Sequence, residues 1–258
     1  VWRVLVDATD VRPGCERIDR PDWVQLRTPG SRIPSHNKVQ RARLVPELVE
    51  AKVREVVEDH KRRRAGWVWV VDEGSEPADA ISEAIERIAG VKGEVADGMV
   101  RKVPTEGAPP SPEGVRIVPL DESLVETLGE VGAKAWGRPP SFRDSVIDWA
   151  WRALRGEHHY EMHHWIAYLN DEAVGSCTLS VLNGVGYLQG AAVFEEARGR
   201  GIYTATVWTR LAALRERGIE DVVIWAHRPT SAPIAKRMGF KEVTSARFHQ
   251  APQPESSE

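Results

Sequence analysis

The stretch Arg198-Gly199-Arg200-Gly201-Ile202-Tyr203-Thr204 lies between an apolar run that ends at Val193 and a helical run that begins at Ile202. The first turn of a helix leaves backbone N–H groups without intrahelical acceptors, and these groups attract an anion. Gly199 and Gly201 let the backbone approach a ligand closely and adopt positive φ, while Arg198 and Arg200 add positive charge. All seven residues together, Ile202, Tyr203 and Thr204 included, read as a pyrophosphate cradle. Two rival glycine loops fail on the residues. The mononucleotide loop needs a Gly-Lys-Ser/Thr triplet, which the chain lacks, and the dinucleotide fingerprint needs a third glycine where Thr204 stands. It also needs an acidic residue after the next strand, where Ala226-His227 stand.

Outward from the cradle, hydrophobic periodicity predicts a strand over 187–193, a helix over 202–217 stopped by Gly218, a buried strand over 222–226 and a short helix over 231–238 before Gly239-Phe240. Upstream it predicts a strand over 115–118, helices over 121–135 and 145–154, and an antiparallel strand pair, 165–168 and 173–181, across the polar turn Asn170-Asp171. The stretch from Arg101 to Gly114 carries four prolines and marks a domain boundary. The N-terminal half repeats the order of elements: strand 39–44, helix 46–64, strand 67–71, helix 77–89 stopped by Gly90, and strand 99–103. It has no glycine between its first strand and helix, and its second turn, 72–76, is acidic and repels phosphate. The expected organisation is a degenerate copy over 1–105, a linker over 106–113, a ligand-binding domain over 114–250 and a disordered tail over 251–258.

Whole-chain properties narrow the class. With 258 residues, 28% of them charged, and a formal net charge of -3, the chain has length for two cores and no broad basic field for nucleic acid. No apolar stretch is long enough to suggest a membrane span, and Cys15 and Cys177 form no CxxC motif, which fits a reducing cytoplasm. The chain opens on Val1, as expected if an initiator or leader had been removed.

The run 191–205, Ala-Ala-Val-Phe-Glu-Glu-Ala-Arg-Gly-Arg-Gly-Ile-Tyr-Thr-Ala, followed by a long helix, a strand and Lys-Arg-Met-Gly-Phe, resembles the GCN5-related N-acetyltransferase pattern. The family's Arg/Gln-x-x-Gly-x-Gly/Ala signature falls on Arg198, Gly201 and Tyr203, and its closing Gly-Phe on Gly239-Phe240. The N-terminal half resembles the degenerate partner domain of two-domain members. The resemblance implies an α/β (α+β) fold: a mixed, mostly antiparallel central sheet flanked by helices, in tandem with a partial copy. It implies an acyl-coenzyme A lying between two splayed strands, its pantetheine against Ala192 and Val193 and its pyrophosphate in the cradle. It further implies direct transfer of an acetyl group from acetyl-coenzyme A to an amine of a small-molecule acceptor, without a metal.

The chain departs from the family where the proton is handled. The frequent tyrosine acid is replaced by Ala235, the common carboxylate on the strand before the cradle by Gln189, and the usual asparagine by Arg228. Gln189 can hydrogen-bond but cannot act as a base at neutral pH. His227, at the end of the strand beside the expected thioester, is the candidate for proton handling, against a bland reading as a helix-cap histidine. Glu195 and Glu196 read as solvated turn residues. The same departures keep open acyl-coenzyme A decarboxylation, O-acylation or a non-catalytic acyl-coenzyme A-binding module.

Other conspicuous residues have structural explanations. His158, His159, His163 and His164 include a helical i, i+4 pair, but no third ligand is evident and the segment runs into a strand, so no metal is expected. Trp136, Phe142, Trp149 and Trp151 suit either an acceptor pocket or helix packing. Cys177 reads as a buried small hydrophobe, and 61–64 as the basic last turn of a helix.

Overall fold

A computed structural model describes residues 14–138, 140–158 and 160–252. In chain order the elements are β1 (Glu16–Asp19), β2 (Val24–Arg27), β3 (Asn37–Gln40), α1 (Val49–Arg62), β4 (Trp67–Asp72), α2 (Ala78–Ala89) and β5 (Gly93–Lys102). Then come β6 (Val115–Pro119), α3 (Val125–Ala135), α4 (Pro140–Leu154), β7 (Glu161–Leu169), β8 (Glu172–Leu182) and β9 (Val185–Val193). The chain continues with α5 (Ile202–Glu216), β10 (Asp221–His227), α6 (Ser231–Arg237) and β11 (Lys241–Ala251). Contacts divide the described residues into two compact units, one holding 99–225 and 239–241, the other 14–98, 226–238 and 242–252.

In the unit that carries the cradle, the strand order is β6-β7-β8-β9-β10. The first three pairings are antiparallel and β9 with β10 is parallel, giving a mixed, mostly antiparallel sheet. The predicted Asn170-Asp171 turn forms with φ of 49° and 69°, the paired left-handed geometry that lets two residues join antiparallel strands. Val125 and Leu128 of α3 pack with Ala150 of α4 against Ile166 of β7. Ile202 and Ala205 of α5 bury with Val131, Ala167, Val174 and Val193.

The other unit has the order β1-β2-β3-β4-β11. Its core joins Val53, Val56 and Val57 of α1 to Trp67 and Trp69 of β4 and to Ile81 and Ile85 of α2. Trp69 is fully buried, because β4 is apolar on both faces and lies between β3 and β11. The strand expected over 39–44 ends at Gln40: Arg41 takes φ 55°, which breaks the ladder, and pairing resumes only as a bridge between Arg43 and Glu76. The helix expected from 46 opens with a short 3-10 turn, Pro46–Leu48, before α1. The 61–64 segment forms the expected basic helix end, with Lys61 paired to Glu58 and Arg62 and Arg63 to Asp59.

Sequence pattern missed β1, β2 and β11, and set the start of β5 six residues late. The contact division also differs from a break at the Pro-rich linker. β11 pairs antiparallel with β4 from Ala246↔Asp72 to Ala251↔Trp67, so a strand from after the Pro-rich segment joins the sheet of the N-terminal unit. The proposed tail beyond Pro252, residues 1–13 and His159 lie outside the described residues.

Candidate functional site

Gly199 and Gly201 both stand at positive φ, 78° and 76°, and Gly201 is the N-cap of α5. The first backbone bond into the helix is Ala205 N–H to Gly201 O, so the N–H groups of Ile202, Tyr203 and Thr204 are left to other acceptors. Arg198, Gly199, Arg200 and Gly201 are exposed, Ile202 is buried, and Tyr203 and Thr204 are half-buried. Arg198 Nε donates to Val193 O at 3.3 Å, which folds the loop back onto the end of β9. The loop therefore presents donors and cationic side chains to solvent from a fixed backbone, an arrangement suited to a phosphate.

Ala192 and Val193 form the end of β9 leading into this loop. The parallel pairing of β9 with β10 runs from Val185↔Asp221 to Tyr187↔Val223. β9 then continues six residues further without a described partner on that side. Between Gln189 and Ala192 the register with β8 shifts, and Gly190 takes φ 57°. Gln189 is half-buried opposite Thr178, and its Nε2 is buried without a hydrogen-bond partner among the described residues.

His227 ends β10 and groups by contacts with the N-terminal unit, whereas Gln189 and the cradle belong to the other. Its Nδ1 lies 3.1 Å from Thr230 Oγ1 and its Nε2 3.9 Å from Glu94 Oε2, with 40% of the side chain exposed. Arg228 donates to Asp97, whose side chain is only 1% exposed. Ala235 is buried in α6. Glu195 and Glu196 are exposed in the turn after β9; Glu196's own backbone N–H, then Lys134 at 3.0 Å, hold its carboxyl below the usual carboxylate range.

The histidine segment is strand, not helix, from Glu161 onward, so helical ligand spacing does not apply to His163 and His164. Adjacent strand residues point to opposite faces. His163 joins Glu161 and Arg217; Arg217 first, then His163, holds the Glu161 carboxyl low. His164 is buried with Nδ1 2.9 Å from Thr178 Oγ1, and burial pushes its pKa down to about 3, so the ring is neutral. Among the described residues, no group of three histidine, cysteine or acidic side chains is arranged to hold a metal. Likewise, no helix among them is long and apolar enough to cross a membrane.

The aromatic group divides. Trp151 packs against the core of α3, α4 and β7, Trp136 is 44% exposed, and Trp149 meets His158 edge-on, with His158 stacked on Tyr160. His158 and Tyr160 line a cavity of about 560 Å³ together with Leu120, Leu154, Met162 and His164. Cys177 is 1% exposed and burial raises its thiol pKa, which keeps it protonated and unreactive. Sequence reasoning passed over Arg210 and Pro112. Arg210 is fully buried in α5, and Pro112 lies against Gly201; neither position carries a motif.

Residues 122–240 match the model of the acetyltransferase (GNAT) family. No curated protein matches the chain. Among solved structures, a conserved protein of unknown function from Staphylococcus epidermidis aligns with TM-score 0.67 at 12% identity, over 93% of this chain and 95% of its own. A GCN5-related N-acetyltransferase from Kribbella flavida aligns with TM-score 0.64 at 10% identity, over 99% and 96%. A tandem GNAT protein from the clavulanic acid biosynthesis pathway aligns with TM-score 0.57 at 14% identity, over 99% and 89%. At such identities the likeness establishes the fold, here the tandem GNAT fold.

Proposed function

Residues 122–240 being a domain of the GNAT acetyltransferase family, we propose that this chain is an acyl-coenzyme A-dependent N-acyltransferase. It takes an acetyl group from acetyl-coenzyme A and passes it directly to the amine of a small-molecule acceptor. The observation that carries this reading is the exposed loop with Gly199 and Gly201 at positive φ on the N-terminus of α5, immediately after the strand that parts from β10.

In this reading the backbone from Arg198 to Thr204 holds the pyrophosphate, and Ala192 and Val193 pair with the pantetheine arm. The acceptor amine attacks the thioester carbon as its free base. The carbon–sulfur bond breaks with its electron pair on sulfur, and the amine nitrogen gives up its extra proton. Gln189 orients the acceptor through its side-chain Nε2, which has no hydrogen-bond partner among the described residues. We assign proton uptake to His227, the best candidate once Gln189 and Ala235 stand where the family carries a carboxylate and a tyrosine. The N-terminal unit, without a glycine loop before α1, is a degenerate copy that binds no coenzyme A.

Calorimetric titration of the purified protein with acetyl-coenzyme A tests the donor site, and release of free coenzyme A with a panel of amines tests transfer. Binding without release across the panel supports the second reading, a non-catalytic acyl-coenzyme A-binding module. That reading is favoured specifically by the amide at Gln189 in place of a carboxylate. Absence of binding would remove both.

A further inference from the structure

The β8–β9 hairpin turns through Asn183 and Gly184, at φ 50° and 74°, with Leu182 opposite Val185 as the closing pair. In a two-residue hairpin the closing pair exchanges hydrogen bonds, and such pairs recur at every second position along an antiparallel ladder. Thr178 opposite Gln189 falls on that alternation, so the Gln189 carbonyl points toward β8. Past this pair, Gly190 and Ala191 together stand against Cys177 before Ser176 meets Ala192. The extra residue is a bulge in β9, with Gly190 at its left-handed position.

Arg210 reaches this bulge from α5. It is 0% exposed, its Nη1 lies 3.2 Å from Thr178 O and 3.4 Å from Gln189 O, and its Nε donates to Thr206 O at 3.0 Å. Among the described residues no carboxylate forms an ion pair with it, and its Nη2 has no hydrogen-bond partner. An arginine buried without a counter-charge is costly to hold, and here its field falls on the two carbonyls that flank the bulge.

A trans peptide is planar, so its C=O and N–H point in opposite directions. With the Gln189 carbonyl held toward β8, the Gly190 N–H of the same peptide is aimed at the other edge of β9. That edge paired with β10 only as far as Tyr187, and Gly190 itself is exposed. A charged donor on the carbonyl also polarises the peptide and strengthens its N–H as a donor.

We propose that Arg210 is a positioning residue for acyl transfer. It fixes and polarises the Gln189–Gly190 peptide, so that the Gly190 N–H meets the acyl carbonyl oxygen of the donor and stabilises the charge that develops there. The inference rests on the β9–β10 opening being the acyl-coenzyme A site, as proposed above.

The test is difference infrared spectroscopy of carbonyl-labelled acetyl-coenzyme A bound to the full chain, with calorimetry of acetyl-coenzyme A and of coenzyme A in parallel. In the parent, the carbonyl band is expected to shift to lower frequency on binding. In Arg210→Met most of that shift is lost while affinity for coenzyme A changes by less than about threefold, since the cradle is separate from the oxyanion contact. Arg210→Lys, which keeps the charge with fewer donors, retains an intermediate shift and gives the decisive reading if Arg210→Met does not fold. An unshifted band in the parent, or a full shift in either folded variant, overturns the inference while leaving the donor site intact. Failure of the parent to bind acetyl-coenzyme A removes the proposed function and this inference with it.

Discussion

Pro112 lies against Gly201: a β-carbon added to Gly201 would come within 2.8 Å of the Pro112 Cγ, whereas one added to Gly199 would meet nothing within 4 Å. Both glycines take positive φ, which costs an L-residue about 1–2 kcal/mol. Gly199→Ala is expected to lower stability by about 1 kcal/mol and leave acetyl-coenzyme A affinity within about threefold. Gly201→Ala must also displace the proline ring, so it loses more stability and weakens binding by about tenfold or more. Denaturant midpoints and calorimetric titration of the two variants check the order. Equal effects would argue against a role for Pro112 in fixing the loop.

Arg228 holds a buried carboxylate in the N-terminal unit. Arg228 Nε and Nη2 both lie 2.7 Å from Asp97 Oδ1, and Lys236 approaches the other oxygen at 3.4 Å. Arg228 is half exposed while Asp97 is not, so Arg228→Ala is expected to cost about 2 kcal/mol, chiefly by leaving a buried anion short of donors. Asp97→Asn costs less, because a neutral amide is easier to bury. Urea unfolding of the two variants decides. A cost for Arg228→Ala no larger than that of a solvent-facing substitution would mean that the pair is incidental.

Buried histidines, His60 and His164 among them, make the fold sensitive to acid. Burial pushes His60 down from 6.5 to about 4, against the Val56 carbonyl that accepts from its ring, and pushes His164 to about 3. Both folded values lie below that of the unfolded chain, so as pH falls through 6.5 the unfolded state takes up protons that the folded state refuses. Their stabilising effect is therefore complete above that value and declines toward pH 4 to 3. The decline is up to about 1.4 kcal/mol per pH unit for each ring. His60→Gln should flatten the dependence measured by urea midpoints between neutral and acidic pH, and an unchanged slope would count against it.

Replacing His227 by Gln removes the proposed proton acceptor while keeping a polar side chain beside Thr230. Turnover is expected to drop by about a hundredfold with acetyl-coenzyme A affinity unchanged. Gln189→Ala should instead raise the acceptor KM. If His227→Gln keeps full turnover, the ring serves only as the cap partner of Thr230.

The glycine turn between β9 and α5 was legible in the sequence because its determinants are local. A strand end, two glycines and a helix start lie within a dozen residues, and backbone sterics alone require glycine at φ 78° and 76°. The order of β9, α5, β10 and α6 followed equally from short-range periodicity and from the stops at Gly218 and Gly239. Trp151 and Cys177 behaved as their apolar character suggested.

Only the tertiary structure decided where β11 goes, what Arg210 touches and why Arg228 stands after β10. Each depends on a partner far along the chain: Trp67 for Ala251, Gln189 and Thr178 for Arg210, Asp97 for Arg228. Local pattern fixes φ, ψ and which face is apolar. It does not fix which distant carbonyl or carboxylate a charge will meet once the chain closes. An arginine within a helix therefore reads as solvent-facing until packing buries it, and a strand with no clear alternation passes unread until a neighbouring strand accepts it.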